Sequence, residues 1–162
     1  MQVLINKKFL TEHSNTVFFK DWKCLSENQK ILIRDFTINY LYNKPLCGKN
    51  KPNHLNDNGA TIPNTYMYKN NNLYHYHIGY KSYNTLPINF SCNHINCIGL
   101  QINMQGNTSA GVLHYIKFDD QTIGILSFGE KHQPFPQCNS KNNLLIQRLT
   151  IDTEFVDLSQ LK

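Results

Sequence analysis

The sequence predicts an α+β fold: a twisted, mainly antiparallel sheet of four to six strands, packed by one N-terminal helix. Three observations predict it. A single amphipathic helical stretch follows a serine cap near the N-terminus. From residue 73 onward, short apolar runs follow a period of two. Turn-forming residues separate those runs at hairpin spacing. With 162 residues, 40% of them hydrophobic, the chain reads as one domain over 1–162, long enough to bury a core.

The elements follow in order. Residues 1–10 read as a first strand, with Val3 and Ile5 alternating, and residues 16–19 as a second, shorter one. Ser26-Glu27-Asn28-Gln29 is a capping-box pattern, in which a serine hydroxyl and a glutamine side chain satisfy exposed backbone N–H groups. Behind it Leu32, Ile33, Phe36 and Tyr40 recur at helical spacing, so a helix is expected over residues 27–42, ending before Pro45. Residues 45–65 are rich in Gly, Pro and Asn and read as a surface loop. Strands are expected at 73–80, 96–105 and 111–119, and 122–128 pairs back as a hairpin across Asp119-Asp120-Gln121. A weaker helical pattern at 142–149 places Leu145 and Leu149 on one face, within a C-terminal segment of 139–162.

Composition limits the function classes. No apolar run approaches the roughly 20 residues that span a bilayer. The start, Met1 to Lys8, lacks the apolar core of a secretory signal. The five cysteines are odd in number and widely scattered, which reads as free thiols in a reducing cytosol. Cys92, His94 and Cys97 could be metal ligands, but their spacing matches no common zinc motif and no second pair follows. Between residues 40 and 118 stand six lysines and one acid, Asp57, so this stretch holds the whole net charge of +5. A basic middle with many tyrosines suits a polyanion, RNA above all, although a solvated lysine face has the same composition.

The most informative stretch is Leu73-Tyr74-His75-Tyr76-His77-Ile78-Gly79-Tyr80. In a strand, His75, His77 and Gly79 share one face, and the three tyrosines and Ile78 the other. The tyrosine side can pack on a helix. Two imidazoles on one polar face titrate near neutral pH, and their spacing also suits a metal. In Leu113-His114-Tyr115-Ile116-Lys117, alternation sends either His114 or Tyr115 to the histidine face, without deciding which. Ser127-Phe128-Gly129-Glu130-Lys131-His132 runs off a strand end, where catalytic groups are commonly mounted.

Taken in order, the N-terminal strand, the helix with Leu25-Ser26-Glu27 and Asp35-Phe36, His75-x-His77, the strand with Tyr115, and Ile123-x-Ile125-Leu126 leading to His132 resemble a known family. The chain is similar to the YafO-type mRNA interferase toxins of the RelE-like toxin–antitoxin group over roughly residues 1–135. It departs from them in its Asn-rich loop, in residues 92–105 and in its acidic tail. The resemblance implies a compact RelE-like fold that cuts messenger RNA, typically on the ribosome, without metal or other cofactor. It also implies a cognate antitoxin as partner, no membrane, and a cytoplasmic location.

RNA cleavage needs a base for the 2′-hydroxyl, a cation or donor for the phosphorane, and an acid for the leaving oxygen. The expected assignment is His75 or His77 as base and His132 as acid or phosphate binder. Tyr115 is expected to orient the phosphate or share in proton transfer, with Lys81, Lys117 and Lys131 as phosphate contacts. Two rivals stand beside this. One is a cupin-like metal enzyme using His75 and His77, disfavoured because residues 58–118 hold no acid. The other is a module that binds RNA or a protein partner and leaves it intact.

Overall fold

The computed structural model describes residues 1–80, 97–131, 137–150 and 153–158. Its strands are β1 (Gln2–Asn6), β2 (Pro45–Leu46), β3 (Asn50–Pro52), β4 (Leu73–His77), β5 (Cys97–Ile98), β6 (Val112–Lys117), β7 (Thr122–Gly129) and β8 (Phe155–Asp157). Its helices are α1 (Lys7–Thr11), α2 (Glu27–Leu41), α3 (Tyr66–Asn70) and α4 (Leu144–Gln147), with a 3₁₀ turn at Trp22–Cys24. Six strands form one sheet in the order β3-β4-β6-β7-β1-β8, and β2 and β5 form a separate ribbon. Within the large sheet only the β1–β7 pair is parallel. The fold is therefore α+β with a mostly antiparallel sheet.

Helix α2 begins as its cap dictates. The Ser26 amide donates to Gln29 Oε1 at 2.9 Å, and the Gln29 amide donates to Ser26 Oγ at 3.3 Å. Such a cap contributes about 1 kcal/mol. Ile33, Phe36 and Tyr40 then bury against the sheet with Val3, Ile5, Tyr76, Leu113, Tyr115, Ile123 and Ile125. The opposite face carries a second apolar cluster of Phe19, Tyr68, Leu73, Ile116, Leu126 and Leu145. Both faces of the sheet are thus covered.

Several elements differ from their sequence patterns. Residues 7–11 are helical because Asn6 Oδ1 accepts from the Phe9 amide at 3.1 Å, capping a turn where a strand was expected to continue. Residues 16–19 make a turn closed by the Phe19 amide on Thr16 Oγ1 at 3.0 Å. The largest departure is at 45–65. Instead of a surface loop it contributes β2 and β3, and buries Leu46, Cys47, Asn50, Lys51 and Asn53. Pro52 is tolerated because β3 is an edge strand, where a missing N–H breaks no ladder. The strand expected over 96–105 shrinks to β5, and residue 96 lies outside the described residues. Neither α3 nor β8 was foreseen.

The thiol expectation is corrected as well. Cys24 and Cys138 are free, but Cys47 is in a disulfide. Scatter along the sequence says nothing of proximity in space, and β2 delivers the chain around Cys47 to β5. Among the described residues no helix is long and apolar enough to cross a membrane.

Candidate active site: a buried row of imidazoles

Four strands place one residue each in a row. Lys51 of β3 pairs with His75 of β4, His75 pairs with His114 of β6, and His114 pairs with Ser127 of β7. Residues directly opposed across strands share a face of the sheet. The ring centroids of His75 and His114 are 6.2 Å apart, and those of His75 and His77 are 5.5 Å apart. This settles which residue of β6 joins the histidines: it is His114. Past that pair the register shifts, so that Tyr115 opposes Ile125 and Leu126 is extra.

Asn53, just beyond β3, bridges two of the rings. Its Oδ1 lies 2.6 Å from His75 Nδ1, and its Nδ2 lies 3.4 Å from His114 Nδ1. A carbonyl oxygen only accepts and an NH₂ only donates. With the amide so oriented, His75 carries its proton on Nδ1 and His114 carries its proton on Nε2. One side chain thus sets opposite tautomers on neighbouring imidazoles: a basic Nε2 on His75 and a donating Nε2 on His114. His77 Nδ1 lies 2.7 Å from the Ser109 carbonyl and 3.0 Å from the Ser109 amide. A neutral ring satisfies only one of these, and the shorter contact assigns Nδ1–H donating to the carbonyl. Ser109 is itself fixed, donating to the Gly111 carbonyl at 2.7 Å and accepting from the Gly79 amide at 3.1 Å. Gly79 has φ +82°, so it ends β4 and does not extend the histidine face.

The cation in the row is also anchored. Lys51 Nζ lies 2.5 Å from Asp57 Oδ1, and Lys49 Nζ lies 3.3 Å from Asp57 Oδ2. The hydrogen bond from Lys51, with the charges of both lysines, holds the Asp57 carboxyl below its ordinary range. Gly48 must stay a glycine here. A Cβ on it would stand 2.0 Å from the His77 carbonyl oxygen.

The structure places the expected site residues in different surroundings. His75 and His77 do share a face, but they are 2% and 1% exposed, and His114 is 1% exposed, so the expected open imidazole surface is closed. Tyr115 lies on the opposite face, fully buried, stacked on Tyr74 and donating to Asn50 Oδ1 at 2.8 Å. Burial pushes its hydroxyl well above its usual pKa. Lys117 also sits on the tyrosine face, its Nζ donating to the Leu100 carbonyl at 3.2 Å and lying 5.5 Å over the Tyr74 ring. Its position follows from the same alternation that sent Tyr115 there. Lys131 is exposed after β7. His132 and Lys81 lie outside the described residues. Residues that the sequence reading missed are Lys51, Asn53 and Ser109. A period-two signal was present in Lys49-Asn50-Lys51-Pro52-Asn53, hidden by the Pro- and Asn-rich composition around it.

A base, a proton donor and a cation in one row are the parts that transesterification at an RNA phosphate requires. Among the described residues no three His, Cys, Asp or Glu side chains are placed to hold a metal ion. Comparison with protein-family models, with curated proteins and with solved structures finds no match to this chain.

Proposed function

We propose that this chain is an endoribonuclease, the toxin of a toxin–antitoxin pair, which cuts messenger RNA by attack of a 2′-hydroxyl on the adjacent phosphate. The observation that supports the reading is the Asn53 amide, whose oxygen and nitrogen lie 2.6 Å and 3.4 Å from Nδ1 of His75 and His114, an orientation that assigns the two rings opposite tautomers. His75 Nε2 accepts the 2′-hydroxyl proton as the oxygen bonds to phosphorus. The Lys51 ammonium offsets the charge of the phosphorane. His114 Nε2–H protonates the departing 5′-oxygen, leaving a 2′,3′-cyclic phosphate and a 5′-hydroxyl. His77 supports His75, and His132 remains the proposed second acid or phosphate binder. The partners proposed are mRNA on the ribosome and a cognate antitoxin. No metal or cofactor takes part.

The burial of the rings adds a condition. In the isolated chain they are closed to solvent, so the reading requires the site to become accessible on its ribosomal substrate, with little cutting of free RNA. The location proposed is the cytosol, where a disulfide at Cys47 would not persist. Full activity in reductant is therefore part of the proposal.

The test is cleavage of mRNA on stalled ribosomes, in chelator and in reductant. The expected result is cuts ending in 2′,3′-cyclic phosphate. The variant His75→Ala should lose roughly 10²-fold or more of the rate, with an unchanged circular dichroism spectrum. A folded His75→Ala/His77→Ala double variant that cuts like the wild type would sink the mechanism. The same burial favours one second reading, an RNA-binding module without catalysis. Binding of RNA that stays intact under all these conditions would select it.

A further inference from the structure

We propose that Lys49 and Lys51 form a binding site for an RNA backbone phosphate, and that the Asp57 carboxylate occupies this site in the free protein. The inference deepens the ribonuclease reading and rests on it for the choice of RNA. Its first support is geometric. The two Asp57 oxygens each take one lysine, Oδ1 on Lys51 at 2.5 Å and Oδ2 on Lys49 at 3.3 Å. Two non-bridging oxygens of a phosphodiester present the same pair of acceptors.

The second support is an asymmetry of burial. The Lys51 and Lys49 side chains are 8% and 13% exposed, whereas that of Asp57 is 66% exposed. A buried ammonium left without a counter-charge is strongly unfavourable. The lysines therefore need an anion, but it need not be this one. Asp57 returns to water at little cost. It rides on a surface turn, where Asn56 Oδ1 accepts from the Asn58 and Ala60 amides at 2.9 Å and Gly59 has φ +78°. Nothing in that turn obliges the carboxylate to stay when a better anion arrives.

The third support is position. Lys51 is the cross-strand neighbour of His75, so an anion taking over from Asp57 binds a residue of the same row. Asp57 is also the lone acid between residues 40 and 118, where six lysines would otherwise attract RNA unopposed. It acts as a stand-in that weak anions fail to displace and a phosphodiester backbone succeeds in displacing.

The test compares the wild type with Asp57→Asn and with Asp57→Asn/Lys51→Ala. The probe is a 2′-O-methyl oligoribonucleotide, which cannot be cleaved, with inorganic phosphate as a parallel arm. Asp57→Asn should bind the oligonucleotide roughly fivefold tighter than the wild type, and adding Lys51→Ala should abolish the gain. Thermal melting supplies a readout that survives a destabilised variant. Phosphate should raise the Tm of Asp57→Asn more than chloride at equal ionic strength, and should do so less for the wild type. Unchanged or weaker oligonucleotide binding by a folded Asp57→Asn, or equal effects of phosphate and chloride on its Tm, overturns the site. A wild-type protein that never cuts RNA, paired with the expected gains in Asp57→Asn, removes the nuclease reading and leaves the phosphate site standing. Tighter binding of inorganic phosphate without tighter binding of the oligonucleotide overturns RNA as the ligand.

Discussion

The two faces of the sheet are both covered, but by different physics. On the α2 side Phe36, Tyr76, Tyr115, Ile5 and Ile125 pack by shape, and ring centroids such as Phe36–Tyr76 lie 5.1 Å apart. On the other side polar groups are buried among the apolar ones: three imidazoles, Asn53, Ser109, Lys51, and the Arg148 guanidinium. Arg148, just past α4, donates from Nη2 to Asp21 Oδ1 at 2.5 Å and Glu12 Oε2 at 3.1 Å, and from Nη1 to the Leu126 carbonyl at 2.7 Å. Burying polar groups gains little stability even when each finds a partner, and a well-packed apolar core of equal volume often does as well or better. A sheet that keeps one face so polar keeps it at the expense of simpler packing. That contrast is what directs attention to the histidine side as the working side.

The contrast can be broken most forcefully at Arg148. Removing one partner of a buried pair, as in Arg148→Met, should destabilise the fold by about 3–5 kcal/mol in urea unfolding, because the buried Asp21 is left uncompensated. Neutralising Asp21 as well should recover much of that loss. If Arg148→Met costs nothing, the polar face is not held as described. A smaller change sharpens the contrast from the other side. Tyr115→Phe deletes the hydrogen bond to Asn50 and takes the donor from that buried oxygen, so it should cost about 1–3 kcal/mol and leave RNA cleavage at the wild-type rate. A large loss of rate in a folded Tyr115→Phe protein would return the tyrosine to the mechanism. The smallest effect concerns pH. The lysines depress the Asp57 pKa from its usual 3.8. A depressed carboxyl stabilises the fold above its unfolded pKa, and that contribution fades as the pH falls through the lower folded value. Acid titration of wild type against Asp57→Asn should therefore show a stability difference at neutral pH that shrinks below about pH 4.

What could be read in the sequence was whatever periodicity carries. Helix α2, its Ser26–Gln29 cap, the β6–β7 hairpin and the sidedness of Tyr74, His75, Tyr76 and His77 all follow from spacing alone. The choice between His114 and Tyr115 did not, because it depends on the register against β4, which is a property of two strands and not of one. Burial of the imidazoles was equally invisible. Polar residues in a strand read as a solvent face unless the sequence reveals what lies over them, and the second apolar cluster on this face, with Leu145 of α4, draws its members from across the chain. The region 45–65 was misread because Gly, Pro and Asn were taken for loop composition. An edge strand accepts the same residues, and with β3 went Lys51 and Asn53, the two side chains that complete the row.

The placement of β1 has a consequence for how the molecule comes into being. Its neighbours are β7 and β8, which follow it in the chain by more than a hundred residues, at 122–129 and 155–157. Until those segments exist, β1 has no strand edge of this sheet to join, and pairings between segments so far apart along the chain form slowly. A growing polypeptide therefore lacks the β1–β7 and β1–β8 pairings until residues 122–129 and 155–157 have been made. The imidazole row, which needs β6 and β7 in register, comes together only late. Whatever the row does, it cannot do before the segment through residue 129 has been made and paired.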